Sequence, residues 1–193
     1  PTRRSSDLKA GLASIESNSP DDILNRLNKV VRRVDTGRLR MSLSVCIFKN
    51  DKLYISAAAM PPAYLYSAET KSVEEIEIRN LPLGGLENEQ FELVEKSFNK
   101  GDVLVLLSDG LPEAPDLEGN LLDYQPVMNC IEKIAHLGAS QVKKALIDLA
   151  DDWLGGSQNP DDITFVVFEK QSNGDRKAQK KLEEKDFKKV AQA

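Results

Sequence analysis

Short apolar segments alternate with polar turns along most of the chain, and the spacing of the apolar residues distinguishes strands from helices. Residues 41–48 carry apolar side chains at every second position, which is typical of a half-buried strand. The Asn50–Asp51 turn leads into a second apolar segment at 53–59, so this region predicts a β-hairpin. Two further hairpins are predicted in the same way, from segments 63–67 and 73–78 and from segments 91–98 and 103–107.

Helical spacing appears in three other segments. Residues 20–34 repeat apolar side chains at intervals of three and four, with Ser19 as the predicted N-cap and Pro20 in the first helical position. Two more helices are predicted at 125–135 and 139–154, followed by a final strand at 163–168. Because hairpins are followed by helices, the sequence predicts an α+β fold with mainly antiparallel sheets.

Two acidic turns lie beside the most apolar strands. Asp109–Gly110 follows the strand predicted at 103–107, and Asp161–Asp162 precedes the one at 163–168. If these strands pair antiparallel, both turns lie at the same rim of a sheet. Carboxylates crowded there repel each other unless a proton or a cation bridges them, and Mg²⁺ and Mn²⁺ prefer oxygen ligands. The pattern predicts a metal site, although Asp-Gly and Asn-Pro-Asp-Asp are also ordinary turn sequences.

Composition and charge exclude several classes of protein. The 193-residue chain is 40% hydrophobic and 30% charged, as expected for one domain with a substantial core. Its net charge of −5 argues against general nucleic-acid binding, and no apolar stretch approaches the roughly 20 residues that span a bilayer. Cys46 and Cys130 lack CxxC spacing and predict buried thiols in a reducing compartment. We therefore expect a cytoplasmic protein with no membrane contact by this segment.

The two ends of the chain differ from its middle. Residues 1–8, Pro-Thr-Arg-Arg-Ser-Ser-Asp-Leu, resemble the translation of a sequencing-adapter oligonucleotide and are predicted to be non-native. Residues 171–193 contain seven Lys or Arg and four Asp or Glu residues, and predict a charged, partly helical or disordered tail. Residues 9–170 remain as the predicted domain.

Four segments in this order resemble motifs of the metal-dependent, PPM-type protein serine/threonine phosphatases, and specifically of their bacterial SpoIIE/RsbU-type branch. They are a small-residue turn with Pro-Pro at 57–65, a Leu-Gly segment at 81–84, and acidic motifs at 106–114 and 161–164. The resemblance implies two packed antiparallel β-sheets flanked by helices, the four-layer αββα phosphatase sandwich, incomplete here at its N-terminus.

The resemblance also implies roles for the acidic turns. Asp109 and Asp161 would bind metal in a two-metal Mg²⁺ or Mn²⁺ site, while Gly110 and Asp162 would support these ligands. The implied reaction is hydrolysis of phosphoserine or phosphothreonine by a metal-activated water. The implied substrate is a phosphorylated regulatory protein, in this branch often an anti-sigma-factor antagonist, and an upstream sensor domain is expected in the parent protein.

Some features depart from the family pattern and leave alternatives open. Two acidic motifs that the family places further upstream are not in this sequence, so the chain alone is expected to be inactive. Ala59 stands where glycine is usual. The alternatives are a non-catalytic phosphatase-like domain that binds a regulator and an unrelated Ca²⁺-binding sandwich. His136, the single histidine, is predicted to be a surface residue near a helix end rather than a catalytic base.

Overall fold

The computed structural model describes residue 13, residues 15–34 and residues 40–171. The predicted adapter-like segment and the tail beyond Gln171 lie outside these residues. The elements, in chain order, are α1 (Pro20–Val34), β1 (Leu43–Lys49), β2 (Lys52–Ala58), β3 (Ala63–Ser67), β4 (Ser72–Ile76), β5 (Val94–Ser97), β6 (Val103–Leu107), α2 (Tyr124–Ile134), a short 3₁₀ helix (Ala135–Leu137), α3 (Ala139–Leu154) and β7 (Phe165–Glu169).

The strands form two antiparallel sheets, as the sequence predicts. One sheet has the order β1-β2-β5, and the other has the order β4-β3-β6-β7. Helix α1 packs on the first sheet, whereas α2 and α3 pack on the second. The predicted α+β sandwich of two sheets between helical layers is therefore confirmed.

The alternation of side chains along the central strands explains the layered core. In β3, Tyr64 and Tyr66 face the α2–α3 layer, whereas Ala63 and Leu65 face the other sheet. Strand β6 repeats this division, and both of its faces are covered. A strand buried on both faces is an almost continuous apolar run, as Val103–Leu107 is in the sequence.

Two of the three predicted hairpins are confirmed. Strand β1 ends at Lys49 and β2 begins at Lys52, and these two residues face each other, so the turn between the strands has two residues. Asn50 and Asp51 in this turn have φ of 50° and 59°, a left-handed conformation that Asn and Asp tolerate and that matches strand twist. Strands β3 and β4 form the second hairpin.

The third predicted hairpin is wrong. Strand β5 pairs with β2 in the first sheet, whereas β6 pairs with β3 and β7 in the second sheet. The amphipathic β5 suits an edge position with one exposed face, and the apolar β6 suits a covered centre. The Asn99–Asp102 loop therefore carries the chain from one sheet to the other.

The helices lie close to their predicted positions. Helix α1 begins at Pro20, where the Ile23 N–H donates to the Ser19 carbonyl at 3.0 Å. Helix α3 has the predicted bounds, α2 begins one residue earlier than predicted, and the last strand begins two residues later. No helix in the described part of the chain is both long and apolar enough to cross a membrane.

Candidate functional site

The two acidic turns meet at one end of the second sheet. Strands β6 and β7 pair antiparallel with Leu107 opposite Phe165, so the end of β6 lies beside the start of β7. Beyond the last pair, the Ser108 N–H donates to the Thr164 carbonyl at 2.8 Å, and the Thr164 N–H donates to Ser108 Oγ at 3.2 Å. The predicted meeting of both turns at a single rim is confirmed.

Asn159 and Gly110 hold the two turns together. Asn159 Nδ2 donates to the Asp161 carbonyl at 2.7 Å and to the Gly110 carbonyl at 3.0 Å. A Cβ atom on Gly110 would lie 2.3 Å from the Asp162 carbonyl oxygen, well inside van der Waals contact. Glycine is therefore required where the turns touch, because a side chain would push one backbone away from the other.

The carboxylates at this rim are accessible. Asp109, Asp161 and Asp162 are exposed, and none forms an ion pair with a basic side chain in the described ranges. Asp161 Oδ1 accepts a hydrogen bond from the Asp162 N–H at 2.8 Å. Among the described residues, no three His, Cys, Asp or Glu side chains are grouped closely enough to hold one metal ion. The turns therefore offer oxygen ligands, and their metal-binding role stays a prediction.

A depression of about 460 Å³ adjoins Asp109. The Glu113 N–H donates to the Asp109 carbonyl at 2.9 Å, so one tight turn places both acidic residues at this surface. The remaining lining comes from the β2–β3 connection, the end of β4 and the start of α2: Ala59, Met60, Pro61, Pro62, Glu75, Glu77 and Tyr124. Glu75, Glu113 and Tyr124 were not identified from the sequence patterns. The one signal available for any of them is that Glu113 lies four residues after Asp109, within the acidic motif at 106–114.

The loop that carries Asp109 and Glu113 is fixed to the helical layer. Trp153 Nε1 on α3 donates to the Ala114 carbonyl at 2.9 Å, and the same carbonyl accepts from the Leu122 N–H at 3.0 Å. The Asp123 N–H donates to the Pro112 carbonyl at 2.7 Å. These bonds make the acidic loop part of the scaffold, which keeps its carboxylates in place.

Two tyrosines next to the depression are held in the neutral form. Burial raises the pKa of Tyr124, and the negative charges of Glu113, Asp109 and Asp123 raise it further. Burial also raises the pKa of Tyr64, with further contributions from Glu75, Tyr124 and Asp123. Both hydroxyls therefore stay protonated and able to donate a hydrogen bond.

Backbone strain also lies at this surface. Ala59 has φ of 47°, a left-handed conformation that glycine adopts without steric cost. Asp123 has φ of 71° and ψ of 166°, a region almost restricted to glycine, and its Oδ1 accepts a hydrogen bond from the Tyr124 N–H at 2.6 Å. Residues held in such conformations cluster at functional sites.

The other candidate groups lie elsewhere. His136 is exposed in the 3₁₀ helix that follows α2. It therefore lies at the opposite end of α2 from Tyr124, which is the first residue of α2 and lines the depression. Cys46 and Cys130 are free thiols, and burial raises the pKa of both, that of Cys46 to about 12. Neither thiol is activated as a nucleophile, because nucleophilic cysteines have a lowered pKa.

Together, the paired antiparallel sheets, the outer helices and the acidic turns at one rim define the fold class of PPM-type protein phosphatases. The SiaA-PP2C domain of Pseudomonas aeruginosa has a TM-score of 0.73 and 16% identity, covering 86% of this chain and 67% of that chain. The phosphatase domain of SpoIIE from Bacillus subtilis, in its Mn-presoaked structure, has a TM-score of 0.58 and 16% identity, covering 90% of this chain and 76% of that chain. At 16% sequence identity, these structural similarities show the fold alone.

The sequence defines the family within this class. The profile of the family described as stage II sporulation protein E (SpoIIE) matches residues 8–171. The chain therefore belongs to the SpoIIE family, in the SpoIIE/RsbU-type branch of the PPM-type protein serine/threonine phosphatases. It is 25% identical to phosphoserine phosphatase RsbU of Bacillus subtilis (strain 168) over 154 aligned residues, and this alignment covers 79% of the chain. The chain spans 45% of the length of that curated relative.

Proposed function

We propose that this chain is part of a Mg²⁺- or Mn²⁺-dependent phosphatase that hydrolyses phosphoserine or phosphothreonine on a regulatory partner protein. The observation that carries the proposal is the contact between the turns of Asp109 and Asp161. This contact brings two carboxylate-bearing segments from distant parts of the sequence to one accessible rim. The named activity of RsbU as a phosphoserine phosphatase supports the choice of substrate class.

The chemistry of the donor set fits a hard divalent cation. Mg²⁺ is commonly held by one or two carboxylates, with water and substrate phosphate completing the coordination. In this proposal Asp109 and Asp161 bind the cations, and other residues of the complete domain supply further ligands. Bound metal would polarise the phosphoryl group and lower the pKa of a water molecule.

The surrounding residues of this chain position those carboxylates. Gly110 permits close contact between the turns, and Asn159 fixes the backbone of both. Asp162 supports Asp161 through its N–H, which donates to the Asp161 carboxylate. Tyr124 lines the same depression as Asp109, and its protonated hydroxyl would be a hydrogen-bond donor for a phosphoryl oxygen.

The proposal extends to the cellular setting. The substrate would be a phosphorylated anti-sigma-factor antagonist or a similar regulator in the cytoplasm, and an upstream sensor domain would control the activity. The net charge of −5 and the acidic rim agree with a protein partner rather than with nucleic acid.

The decisive experiment measures phosphate release and Mn²⁺ binding together. The chain is compared with a longer version in which the two upstream acidic motifs of the family are restored, using a phosphoserine peptide as substrate. We expect Mn²⁺-dependent turnover from the longer version and little from the chain alone. Asp109→Asn or Asp161→Asn should lower turnover by at least ~100-fold, because preorganised electrostatic groups supply much of the rate.

Asp148→Asn is the matched control, because Asp148 is an exposed aspartate on α3 that does not line the depression. It should retain both turnover and Mn²⁺ binding. Turnover that survives both Asp109→Asn and Asp161→Asn would show that the chemistry lies on other residues.

A non-catalytic phosphatase-like binding domain is the second candidate. It is favoured by Ala59, whose left-handed backbone occupies a position where glycine is usual in the family, and by the lack of a three-ligand group among the described residues. Binding of a phosphorylated partner by the longer version, without Mn²⁺ binding or turnover, would support this alternative.

A further inference from the structure

An apolar groove runs along the open edge of the second sheet. Strand β7 is at this edge, because among the described strands it pairs only with β6. The groove lies between β7 and α3, has a volume of about 670 Å³, and has Ile147, Ile163, Phe165 and Val167 in its lining. The Ile147 side chain is 41% exposed there. Folded proteins usually cover such a strand edge and apolar surface with another segment.

The C-terminal tail of the chain begins at one end of this groove. The Ala139 N–H donates to Glu169 Oε2 at 2.9 Å, so the start of α3 lies beside the end of β7. On α3 the groove extends from Ala139 to Asp151, about 18 Å along a helix. The chain continues for 22 residues beyond Gln171, and Asn173 and Gly174 are a pair typical of tight turns. The tail is therefore long enough to turn back and follow the whole groove.

Residues 177–190 of the tail have the spacing of an amphipathic helix. Apolar and acidic residues recur at intervals of three or four, and lysines recur at similar intervals on the opposite face. The first face contains Leu182, Glu183, Asp186, Phe187 and Val190, and the second contains Lys177, Lys181, Lys185 and Lys188. The first face suits an apolar surface that also carries a basic side chain, and the second suits water.

The charges of the groove match this face in kind and in order. Lys143 and Asp151 line the groove, are exposed, and form no ion pair within the described ranges. Lys143 is the nearer of the two to the end where the tail begins. The tail presents Glu183 first and Lys189 six residues later, about 9 Å along a helix, against about 12 Å between Lys143 and Asp151 on α3. Opposite charges can therefore meet at both ends of the groove.

We propose that residues 177–190 of this chain dock as an amphipathic helix in the groove between α3 and β7. Leu182, Phe187 and Val190 contact the apolar lining, and Glu183 pairs with Lys143. Because the tail is covalently attached at one end of the groove, its high effective concentration makes weak individual contacts sufficient. The inference is independent of the proposed function, since neither Asp109 nor Asp161 lines this groove.

Hydrogen exchange of the whole chain, read by mass spectrometry, tests the docking. The original chain is compared with the double variant Leu182→Ser/Phe187→Ser. Amides of residues 180–190 should exchange about tenfold more slowly in the original chain, and amides of β7 should also be better protected there. The matched control is Lys181→Ser/Lys185→Ser, which alters the opposite face of the same segment and should keep the protection in both regions.

Charge reversal tests the predicted contact between the tail and α3. Lys143→Glu should reduce the protection of the tail amides by about threefold, and adding Glu183→Lys should restore it, because the pair is then reversed. Lys144→Glu is the matched control, since Lys144 is the neighbouring exposed lysine on α3 and does not line the groove. It should leave the protection unchanged.

Equal exchange of the tail amides in the original chain and in the Leu182→Ser/Phe187→Ser variant would overturn the inference. Tail protection that is insensitive to Lys143→Glu and is lost without any change in β7 would also overturn it, because the tail would then contact another surface. Protection of β7 that increases with protein concentration while the tail stays unprotected would assign the groove to a second copy of the chain, and would equally overturn the inference.

Discussion

Strand β6 has an aspartate next to a glycine at each end, and the two aspartates have opposite environments. Asp102 precedes the strand and is 3% exposed. Its carboxylate accepts hydrogen bonds from the Ala68 N–H at 2.9 Å and the Asn99 N–H at 2.6 Å. Asp109 follows the strand, is exposed, and accepts no side-chain hydrogen bond from the described residues. The same residue type is therefore structural at one end of the strand and available to a ligand at the other.

The difference distinguishes a carboxylate whose hydrogen bonds stabilise the fold from one that is exposed and can bind a ligand. Asp102 holds the crossover loop between the sheets, and its carbonyl also accepts from the Lys170 N–H at 3.1 Å. All of its polar atoms form hydrogen bonds within the fold. At the Asp109 end the backbone is fixed by Asn159 and Trp153, and the carboxylates are left free to act on other molecules.

The largest effect on stability should come from exchanging Asp102, but not Asp109, for asparagine. Asp102→Asn places an amide NH₂ against a buried N–H donor, so we expect a loss of about 3 kcal/mol in the free energy of unfolding. Asp109→Asn should change that free energy by no more than about 0.5 kcal/mol, as for other exposed positions. Urea unfolding measures both. Equal losses would remove the distinction between the two ends of β6.

Substituting alanine for the glycines beside these aspartates should lower the free energy of unfolding by different amounts in the same urea experiment. Gly110→Ala forces its Cβ against the Asp162 carbonyl, and we expect a loss of about 2 kcal/mol together with separation of the acidic turns. Gly101→Ala meets only a side-chain carbon at 3.0 Å, but its φ of 85° is unfavourable for alanine, at a cost of about 1 kcal/mol. A Gly110→Ala protein as stable as the original chain would show that the turns can move apart freely.

Trp153→Phe tests how firmly the acidic loop is fixed. The substitution removes the bond from Nε1 to the Ala114 carbonyl while keeping an aromatic ring, and should cost about 1 kcal/mol. Hydrogen exchange of the loop amides should increase, because this bond links the loop to α3. Tyr54→Phe is the control, since the Tyr54 hydroxyl has no hydrogen-bond partner among the described residues; it should have little effect on either measurement.

The smallest effect concerns Ala59 at the rim of the depression. Ala59→Gly relieves the left-handed strain at φ of 47°, and this gain exceeds the added entropy of the unfolded chain by about 0.5 kcal/mol. The urea midpoint should rise slightly. The opposite sign is expected for Ala63→Gly, a buried strand position where glycine only removes packing. A lower midpoint for Ala59→Gly would mean that the alanine methyl group stabilises the rim.

Local patterns in the sequence were sufficient for most of the elements. The two-residue turn at Asn50–Asp51 fixes the first hairpin, and helical spacing places α1, α2 and α3 within one residue of their observed starts. The meeting of the acidic turns also followed from the sequence, because antiparallel pairing of β6 with β7 leaves no other place for them.

The partner of β5 and the acidic depression were decided only by the tertiary structure. The sequence of a short strand does not specify which distant strand it pairs with, so the local pattern predicts one hairpin for β5 and β6, whereas the two strands lie in different sheets. The depression combines Pro61, Glu75, Glu113 and Tyr124 from four separate segments. The sequence by itself determined the elements, the family and the acidic rim, because these depend on local spacing and motif order. Long-range packing decided the depression and left Asp102 buried and Asp109 exposed, because burial depends on which segments cover each end of a strand.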